Sequence, residues 1–546
     1  MRTSPQTESS LSTKLNQRAE GLGHQVLFTS NPESLGSEDL RKFHKPVVLI
    51  QDYPSNTPTG KIVEQTYDSL LRYRPTLAIG HDPETERALI ITLEKGLVPV
   101  ANHDRLLIWL DKLLQSRASH RHYNTDTHLN IVEQVPDTIR TDLDELKSLT
   151  ESWTNWSLFP KFQLVNKDTG LESERYPGAR FGFVAKRTNA GTLITARGSN
   201  KGEPSDRDFA LVTQVEGLDV HTTSLKSKAS LNAPLAHKIF EHRPEIRYIV
   251  HSHVLLPEGI NAPNISSPDT EEDWESVEAL VKSGATVINQ PQHGTLILLK
   301  DPQELLPILI KNNVYSTRGG SYETEYRRFL QEDLLIRAVK SLNLLKNTKI
   351  LDLCCGTGAS TEHLLKLGFT NIDIADGSKT MLEQAERKFR TTGTIISLPN
   401  LDSVKNNYDL ITMRQAFNYI KPEDLDTFVK NIAQKLSSNG QFVFTTFGKL
   451  EPGLRTREDP DWQDPNGEHW IRTHESNVIT EGQVMHTQRT EALDFNNELW
   501  SPTLDINIFY QYDVNQIVDA FTKAGFKVSH SQETNRLCFV CSKEEA

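Results

Sequence analysis

The sequence predicts a multidomain α/β protein, and three observations support this fold class. The chain has 546 residues, which at about 150 residues per domain is enough for three or four domains. Short β-like runs alternate with helical stretches along most of its length. A buried run over 350–353 leads into a glycine turn and a helical stretch, which is typical of a ligand cradle in a parallel sheet.

Composition limits the classes of partner. Hydrophobic residues make up 36% of the chain and charged residues 24%, which favours folded cores over general disorder. The 60 Lys and Arg against 72 Asp and Glu give a net charge of −12, which disfavours nucleic acid as a partner. No apolar run is long enough to cross a membrane, and the first residues contain no apolar signal core. We therefore expect a cytoplasmic protein that binds neither nucleic acid nor a membrane.

The four cysteines do not form a disulfide framework. Two are adjacent, Cys354 and Cys355, and two are spaced as Cys538-x-x-Cys541 in a strand-like run. Because no second Cys pair completes a zinc site around Cys538 and Cys541, we interpret these residues as core thiols in a reducing compartment.

The first quarter of the chain predicts three segments. Residues 1–20 are rich in Ser, Thr and Gln and predict a disordered tail. Residues 21–115 combine two short β-like runs with a helical stretch over 84–95, which indicates a small α/β domain of unknown role. Residues 116–148 begin with a polar, histidine-containing stretch and are predicted to be a linker.

The next predicted domain, residues 149–317, contains a histidine pattern that is typical of a metal site. His251 and His253 are two residues apart at the end of an apolar strand, so their side chains share one face. His293 precedes another strand that could lie alongside. Three neutral imidazoles with an open fourth position make a catalytic zinc arrangement.

These histidines belong to a series of motifs that resembles the class II aldolase/adducin family. The matching segments are Leu193-Ile-Thr-Ala-Arg-Gly-Ser199, Lys228-Ala-Ser-Leu-Asn-Ala-Pro234, His251-Ser-His253 and Gln292-His-Gly294. The resemblance implies an α/β/α domain whose Zn²⁺, or similar divalent metal, polarises a substrate carbonyl, and it is consistent with assembly into a homo-oligomer. It also implies that relatives bind a phosphate or other oxyanion at the positions of Arg197, Ser199, Asn200, Lys228 and Ser230.

One residue departs from the family's pattern. Asn232 occupies the position where the aldolases usually carry a glutamate that acts as general acid and base, and an amide cannot take that proton. Glu258, five residues after His253, is the nearest candidate for a substitute acid. Three alternatives remain open: a substitute acid, a different reaction, or a domain that only binds.

The last predicted domain, residues 318–546, begins with the cradle. Gly356 and Gly358 let the backbone approach a ligand closely, and a second strand delivers Asp376 twenty residues after Gly356. This spacing suits a carboxylate that binds the two hydroxyls of a ribose. The turn lacks the third glycine of a dinucleotide fingerprint, which favours a nucleoside with a short charged tail over NAD.

The motifs of this domain resemble the class I S-adenosylmethionine-dependent methyltransferases. They are Asp352-x-Cys-Cys-Gly-Thr-Gly358, Asp376-Gly-Ser-x-x-Met-Leu382 and Asn407-Tyr-Asp-Leu-Ile411. The resemblance implies a Rossmann-like fold that binds S-adenosylmethionine, with Asp376 on the ribose and Asp352 near the sulfonium. The residues expected to line this cofactor site are Asp352, Cys354, Gly356, Thr357, Gly358, Asp376 and Met381.

The acceptor side of this domain is less distinctive. Residues that follow the strand over 408–413 should lie near the transferred methyl group, and they include Arg414, Gln415, Asn418 and Tyr419. A long insert with His469, Trp470, His474 and His486 has an alternating run over 483–490, which predicts a β extension that caps the acceptor pocket.

Three interpretations of the whole chain follow. The first is a bifunctional enzyme that joins methyl transfer to metal-dependent aldolase or lyase chemistry on small-molecule substrates. The second is a methyltransferase whose middle domain is a binding or assembly module, which Asn232 favours. The third keeps S-adenosylmethionine but uses it for chemistry other than methylation.

Overall fold

The computed structural model of the chain describes residues 121–156, 158–159, 180–311, 315 and 334–543, together with short segments between residues 17 and 98. Gaps within these ranges fall at 226–227, 265, 267, 292, 406, 449–452, 464–468, 481 and 493–502. The predicted tail over 1–20 lies almost entirely outside the described residues.

Backbone contacts divide the chain into two compact units. The first unit contains residues 1–307, 458–472 and 489–504, and the second contains residues 308–457, 473–488 and 505–546. The boundary at 307/308 lies ten residues before the end of the predicted middle domain.

The first sheet of the first unit has five strands in the order β1-β2-β3-β4-β5. The strands are β1 (Gln25–Thr29), β2 (Val47–Asp52), β3 (Leu77–Asp82), β4 (Arg87–Thr92) and β5 (Gly96–Val98). The predicted helix over 84–95 is wrong, because β4 occupies it and pairs antiparallel with β3. The apolar, partly β-branched run Ala88-Leu-Ile-Ile-Thr92 fits a pleated strand, and this preference outweighs the acidic residues that suggested a helix.

A nine-stranded mixed sheet forms the larger part of the first unit. Its order is β12-β13-β14-β11-β7-β8-β9-β10-β6, and most neighbours are antiparallel. The strands are β6 (Asn124–Ile131), β7 (Phe183–Thr188), β8 (Gly191–Thr195), β9 (Phe209–Glu216), β10 (Asp219–Ser224), β11 (Tyr248–Ser252), β12 (Ile260–Asn261), β13 (Val287–Gln290) and β14 (Gly294–Leu299). All residues of β11 and β14 are buried, as expected for central strands.

The predicted linker over 116–148 is wrong in its described part. Residues 124–131 form the edge strand β6, which pairs parallel to β10, and Asn124 donates a hydrogen bond to Asp219 over 2.8 Å. Polar composition suggested a solvated linker, but an edge strand needs apolar residues on one face only.

The helices of the first unit are α1 (Arg140–Thr154), α2 (Ala233–His242), α3 (Glu271–Lys282) and α4 (Leu305–Ile310). Apolar residues of α2 and α3, including Ile239, Phe240 and Val277, join the sheet's Ile249 and Leu296 in one buried core. This packing fixes the strand ends that carry the predicted histidines.

The second unit contains a seven-stranded sheet in the order β17-β16-β15-β18-β19-β25-β24. The strands are β15 (Lys349–Leu353), β16 (Asn371–Asp376), β17 (Thr394–Ile395), β18 (Tyr408–Met413), β19 (Leu436–Phe447), β24 (Phe526–Glu533) and β25 (Arg536–Lys543). The first five are parallel, and β25 runs antiparallel to both of its neighbours. This is the Rossmann-like arrangement that the sequence predicted.

Helices alternate with these strands, as a parallel sheet requires. They are α5 (Leu334–Ser341), α6 (Ala359–Lys366), α7 (Lys379–Phe389), α8 (Leu425–Lys435) and α9 (Val514–Lys523). The core between sheet and helices contains stacked rings, with Phe444 4.8 Å from Phe442 and 5.0 Å from Phe539 between ring centroids. Cys538 and Cys541 are buried in β25, which confirms that they are core thiols.

The predicted β insert forms a separate four-stranded sheet in the order β20-β21-β22-β23. Its strands are β20 (Gly453–Gln463), β21 (His469–Thr480), β22 (Gln483–Ala492) and β23 (Thr503–Tyr510). No helix in the described part of the chain is both long and apolar enough to span a membrane.

Candidate functional sites

The glycine turn joins β15 to α6 at the carboxyl edge of the parallel sheet. Gly356 has φ +58° and Gly358 has φ +88°, both in the left-handed region. A β carbon on Gly358 would also overlap the ring of Phe389, so this position accepts only glycine without rearrangement. A β carbon on Gly356 would meet no atom within 4 Å, which leaves open space beside the turn.

Asp376 lies at the end of β16 and faces this turn. Its Oδ2 accepts a hydrogen bond from the Gly356 amide over 2.8 Å, and its Oδ1 accepts one from the Ser378 amide over 2.7 Å. Burial raises the pKa of Asp376, while these backbone N–H groups lower it. The carboxylate is thereby held in a fixed orientation, and each oxygen keeps a further lone pair for a ligand hydroxyl.

Asp352, at the end of β15, is 1% exposed and connects three elements. Thr361 of α6 donates to its Oδ2 over 2.6 Å, and Thr412 of β18 donates to its Oδ1 over 3.1 Å. Burial raises the pKa of Asp352 to about 6, and the nearby charge of Arg414 opposes this shift. The two threonines were not predicted, since neither lies in a recognisable motif.

The other predicted cofactor residues surround the same turn. Thr357 is 2% exposed, and its buried Oγ1 has no hydrogen-bond partner among the described residues. Met381 is buried in the first turn of α7, and Cys354 is partly exposed. An unsatisfied buried hydroxyl is costly, which is consistent with a cradle that a polar ligand completes.

Tyr315 is a further residue at this edge, and no sequence motif predicts it. Its carbonyl accepts hydrogen bonds from the hydroxyls of Ser378 over 2.9 Å and Thr380 over 3.0 Å. Its ring lies edge-on to Tyr419, with 5.8 Å between centroids. Tyr315 lies more than thirty residues before the first motif, so no local spacing connects it to the cradle.

The predicted acceptor residues follow β18, but their side chains are not equivalent. Asn418 is 1% exposed, and its Nδ2 donates to the Tyr510 carbonyl over 3.0 Å. Its Oδ1 accepts from the Thr446 hydroxyl over 2.6 Å and the Phe447 amide over 2.9 Å. The amide of Asn418 thus holds neighbouring strands together, and its place near the transferred methyl group stays a prediction.

The three predicted metal ligands are brought together in the first unit. His251 lies near the end of β11, His253 follows that strand, and His293 precedes β14, which pairs antiparallel with β11. One ring nitrogen from each lies within 4.8 Å of the other two, and the Nε2 atoms of His251 and His293 are 3.1 Å apart. Gly294 permits this approach, because a β carbon there would overlap the Ser252 carbonyl.

The electrostatics of this cluster favour neutral imidazoles. His251 is 0% exposed, and burial lowers the pKa of His251 well below its usual value, with the charge of His253 adding to the effect. Neutral imidazole is the form that binds a metal ion. The donor set and its compactness therefore fit zinc or a similar divalent ion.

The residues predicted to bind an oxyanion lie in two adjacent loops. The Arg197 amide donates to the Lys228 carbonyl over 2.9 Å, which joins the loop after β8 to the loop before α2. Ser199 is buried, and its Oγ has no partner among the described residues, whereas the Ser230 hydroxyl accepts from the Asn232 amide over 3.4 Å. The side-chain oxygen of Asn200 accepts from the Gly202 and Glu203 amides, which stabilises this loop.

The two residues at issue for proton transfer have opposite environments. Asn232 is 6% exposed at the start of α2, and its Oδ1 has no partner among the described residues. Glu258 is exposed in the turn between His253 and β12. The structure thus has a buried amide where the resemblance implies an acid, and an exposed carboxylate as the substitute candidate.

Comparison with known proteins bears on the second unit. Residues 350–440 match the family model described as a methyltransferase domain. A malonyl-[acyl-carrier protein] O-methyltransferase from Acetivibrio thermocellus is 27% identical over 204 residues, which are 34% of this chain and 66% of that protein. An uncharacterized protein from Haemophilus influenzae is 38% identical over 110 residues, which are 18% of this chain and 42% of that protein. The chain thus spans less than two thirds of either relative.

A solved S-adenosylmethionine-dependent methyltransferase from Clostridium acetobutylicum is 21% identical, with a TM-score of 0.35, and the match covers 42% of this chain and 99% of that one. The matched residues 350–440 include β15, the glycine turn, Asp376 and β18, which together form the cradle. The part of the chain that forms the cradle therefore matches a methyltransferase domain.

Proposed function

We propose that the chain transfers a methyl group from S-adenosylmethionine to a small-molecule acceptor. The observation that supports this most is the cradle, in which Asp376 is oriented by two backbone amides beside the open space at Gly356. Asp376 would hold the ribose hydroxyls, and the turn of Gly356 and Gly358 would face the methionine part. The buried, unsatisfied hydroxyl of Thr357 offers a further hydrogen bond to the ligand.

Methyl transfer needs little from the protein beyond orientation, because the sulfonium is already an activated donor. Asp352 and Arg414 carry opposite charges near the end of β18. They would determine the electrostatic potential around the sulfonium of the bound donor. Tyr419 would lie on the acceptor side, next to Tyr315 and the insert.

Methyl transfer can be measured while the acceptor is still unidentified. Purified full-length chain is incubated with trideuteromethyl-labelled S-adenosylmethionine and a cell metabolite extract, and products that gain the labelled methyl group are identified by mass. We expect at least one labelled product with the wild type and none with Asp376→Ala. Labelling that is equal in both would contradict the proposal. Bound cofactor without any labelled product would favour S-adenosylmethionine chemistry other than methylation.

We further propose that the middle domain is a class II aldolase-like domain that holds one zinc or similar divalent ion per chain, with His251, His253 and His293 as ligands. The support is their convergence within 4.8 Å and the burial of His251. A bound divalent ion supplies Lewis-acid polarisation of a substrate carbonyl. Arg197, Ser199 and Lys228 would orient an oxyanionic group of that substrate.

Metal content measures this proposal directly. We expect about one divalent ion per chain in wild-type protein purified without added metal, and loss of that ion in a His251→Ala/His253→Ala variant. His221→Ala is a matched control, because His221 stacks on His128 at 4.3 Å on another pair of strands. A metal content that is equal in all three proteins would mean that the histidines have a structural role only.

A second candidate function for the middle domain is a binding or assembly module. The buried amide of Asn232 favours it, because this position cannot transfer a proton. A panel of phosphorylated and unphosphorylated ketoses and aldols, assayed for carbonyl release by the metal-loaded wild type, separates the two. Release supports the bifunctional enzyme, and no release supports the module. Assembly of this domain into a homo-oligomer is part of either proposal, and sedimentation velocity measures it.

A further inference from the structure

Asn418 of the second unit is one of the residues that attach the insert sheet to the donor edge. Asn418 follows β18, and its Nδ2 donates to the Tyr510 carbonyl at the end of β23 over 3.0 Å. Its Oδ1 accepts from Thr446 and Phe447 at the end of β19. Three chain segments therefore meet at a buried, satisfied amide, and the next residue, Tyr419, is fixed against β23.

Aromatic rings continue from Tyr419 onto the insert sheet. The Tyr419 ring lies 5.2 Å from Phe509 of β23, and Phe509 lies 5.9 Å from Phe447, between centroids. Phe509 is also 5.7 Å from the ring of His486 on β22. Because these two rings are in contact, His486 and Phe509 lie on the same face of the insert sheet.

Polar groups share this face. Alternate residues of a strand point to the same side, so Asn507 lies on the face of Phe509. Asn507 is 7% exposed, and its Oδ1 has no hydrogen-bond partner among the described residues. Ser476 is 3.0 Å from Nδ1 of His486, and Nδ1 of His474 is 3.3 Å from Nε2 of His486. Both nitrogens of His486 are thus held in place.

We propose that this insert face, defined by Ser476, His486, Asn507 and Phe509, binds the methyl acceptor, and that the acceptor is a hydroxylated aromatic compound. The inference rests on the proposed methyltransferase function. Aromatic rings favour offset or edge-to-face packing against Tyr419 and Phe509. A ligand hydroxyl would satisfy the buried Asn507 oxygen, whose unpaired state is costly.

The residues after β18 also favour a phenolic hydroxyl as the methyl acceptor. The side chains of Arg414, Gln415 and Asn418 cannot act as a base, so the acceptor must lose its proton readily. A phenol has a pKa near 10, as tyrosine does, whereas an aliphatic hydroxyl is far less acidic. In the reaction the phenolic O–H bond breaks and an O–C bond forms. The S–C bond breaks to leave a neutral thioether, and water takes the proton.

Two probes of equal ring size test the acceptor class. Catechol and trans-1,2-cyclohexanediol both carry adjacent hydroxyls, but only catechol is aromatic and acidic. Each is titrated calorimetrically into full-length protein saturated with S-adenosylhomocysteine, and each is incubated with labelled S-adenosylmethionine. We expect catechol to bind and gain one methyl group, and the cyclohexanediol to do neither.

Variants assign the binding to the insert face. We expect Phe509→Ala and His486→Asn each to weaken catechol binding at least tenfold while S-adenosylhomocysteine affinity changes less than twofold. His530→Asn is the matched control, because His530 lies on β24 against Phe539, away from Phe509. Catechol affinity that is unchanged in both variants would overturn the inference, as would equal binding of the cyclohexanediol or no binding of catechol. If S-adenosylhomocysteine itself does not bind, the proposed function fails as well.

Discussion

Replacement of Asp376 by asparagine is the sharpest perturbation of the cofactor cradle. The carboxylate already accepts the Gly356 and Ser378 amides, so its orientation is fixed before a ligand arrives. Two ribose hydroxyls would then bind to a preorganised anion. Asparagine keeps the shape of the side chain, but it carries no charge and turns one acceptor oxygen into a donor.

The magnitude follows from the hydrogen bonds that are lost. A hydrogen bond to a charged group contributes about 1.5–3 kcal/mol, and asparagine loses one of the two ribose hydrogen bonds and leaves the other as a neutral one. At about 1.4 kcal/mol per tenfold change, affinity should fall at least tenfold. Asp376→Ala removes both ribose contacts and also releases two buried backbone amides, so it should lower affinity further and lower stability in addition.

Calorimetric titration with S-adenosylhomocysteine measures this effect, because the ligand has the same ribose and undergoes no reaction. Asp373→Asn is the control. Asp373 lies on the same strand and accepts a 2.7 Å hydrogen bond from Tyr408, outside the cradle. We expect the control to bind within twofold of the wild type. If the Asp376→Asn variant also binds S-adenosylhomocysteine within twofold of the wild type, the assignment of Asp376 to the ribose is refuted.

Three further predictions concern proton transfer and stability. Burial raises the folded-state pKa of Asp352 to about 6, so its stabilising contribution is present below pH 4 and is lost as pH rises to 6. In Asp352→Asn the free energy of unfolding should therefore depend less on pH over this range, and denaturant titration at several pH values measures it. If Glu258 is the substitute acid, Glu258→Gln should abolish carbonyl release in a product assay but keep the metal by elemental analysis. Asn232→Glu should then not increase the rate of carbonyl release. Asn418→Ala should lower the melting temperature of the second unit and alter acceptor KM more than cofactor affinity, because it frees the end of β23.

The cradle was predictable because its requirements are local. A strand, a left-handed glycine turn and an acid after the next strand lie within 27 residues, from Ile350 to Asp376. The structure adds Tyr315 and Thr412, which reach this site from outside that span, and Thr361, which lies within it on α6. Side chains of such common types carry no signal until the fold places them.

The errors in the first unit have a related cause. Residues 124–131 are mostly polar, and residues 84–95 contain three glutamates around an apolar run, so composition suggested a linker and a helix. Their observed structure depends on partners: β6 pairs with β10, and β4 pairs with β3. Pairing between strands overrides weak local preference, since β propensity mostly reflects packing against neighbours.

The histidine cluster is difficult to explain as ordinary core packing. His251 and His293 are 0% and 2% exposed, and their Nε2 atoms face each other at 3.1 Å, so at most one proton can lie between them. Buried polar atoms are costly when unsatisfied, and apolar residues at the ends of β11 and β14 would avoid that cost. A divalent ion would satisfy several of these nitrogens at once, which supports the proposed metal site. Metal binding there would not require a carboxylic acid at position 232, so the metal-content test and the carbonyl-release test address separate parts of the proposal.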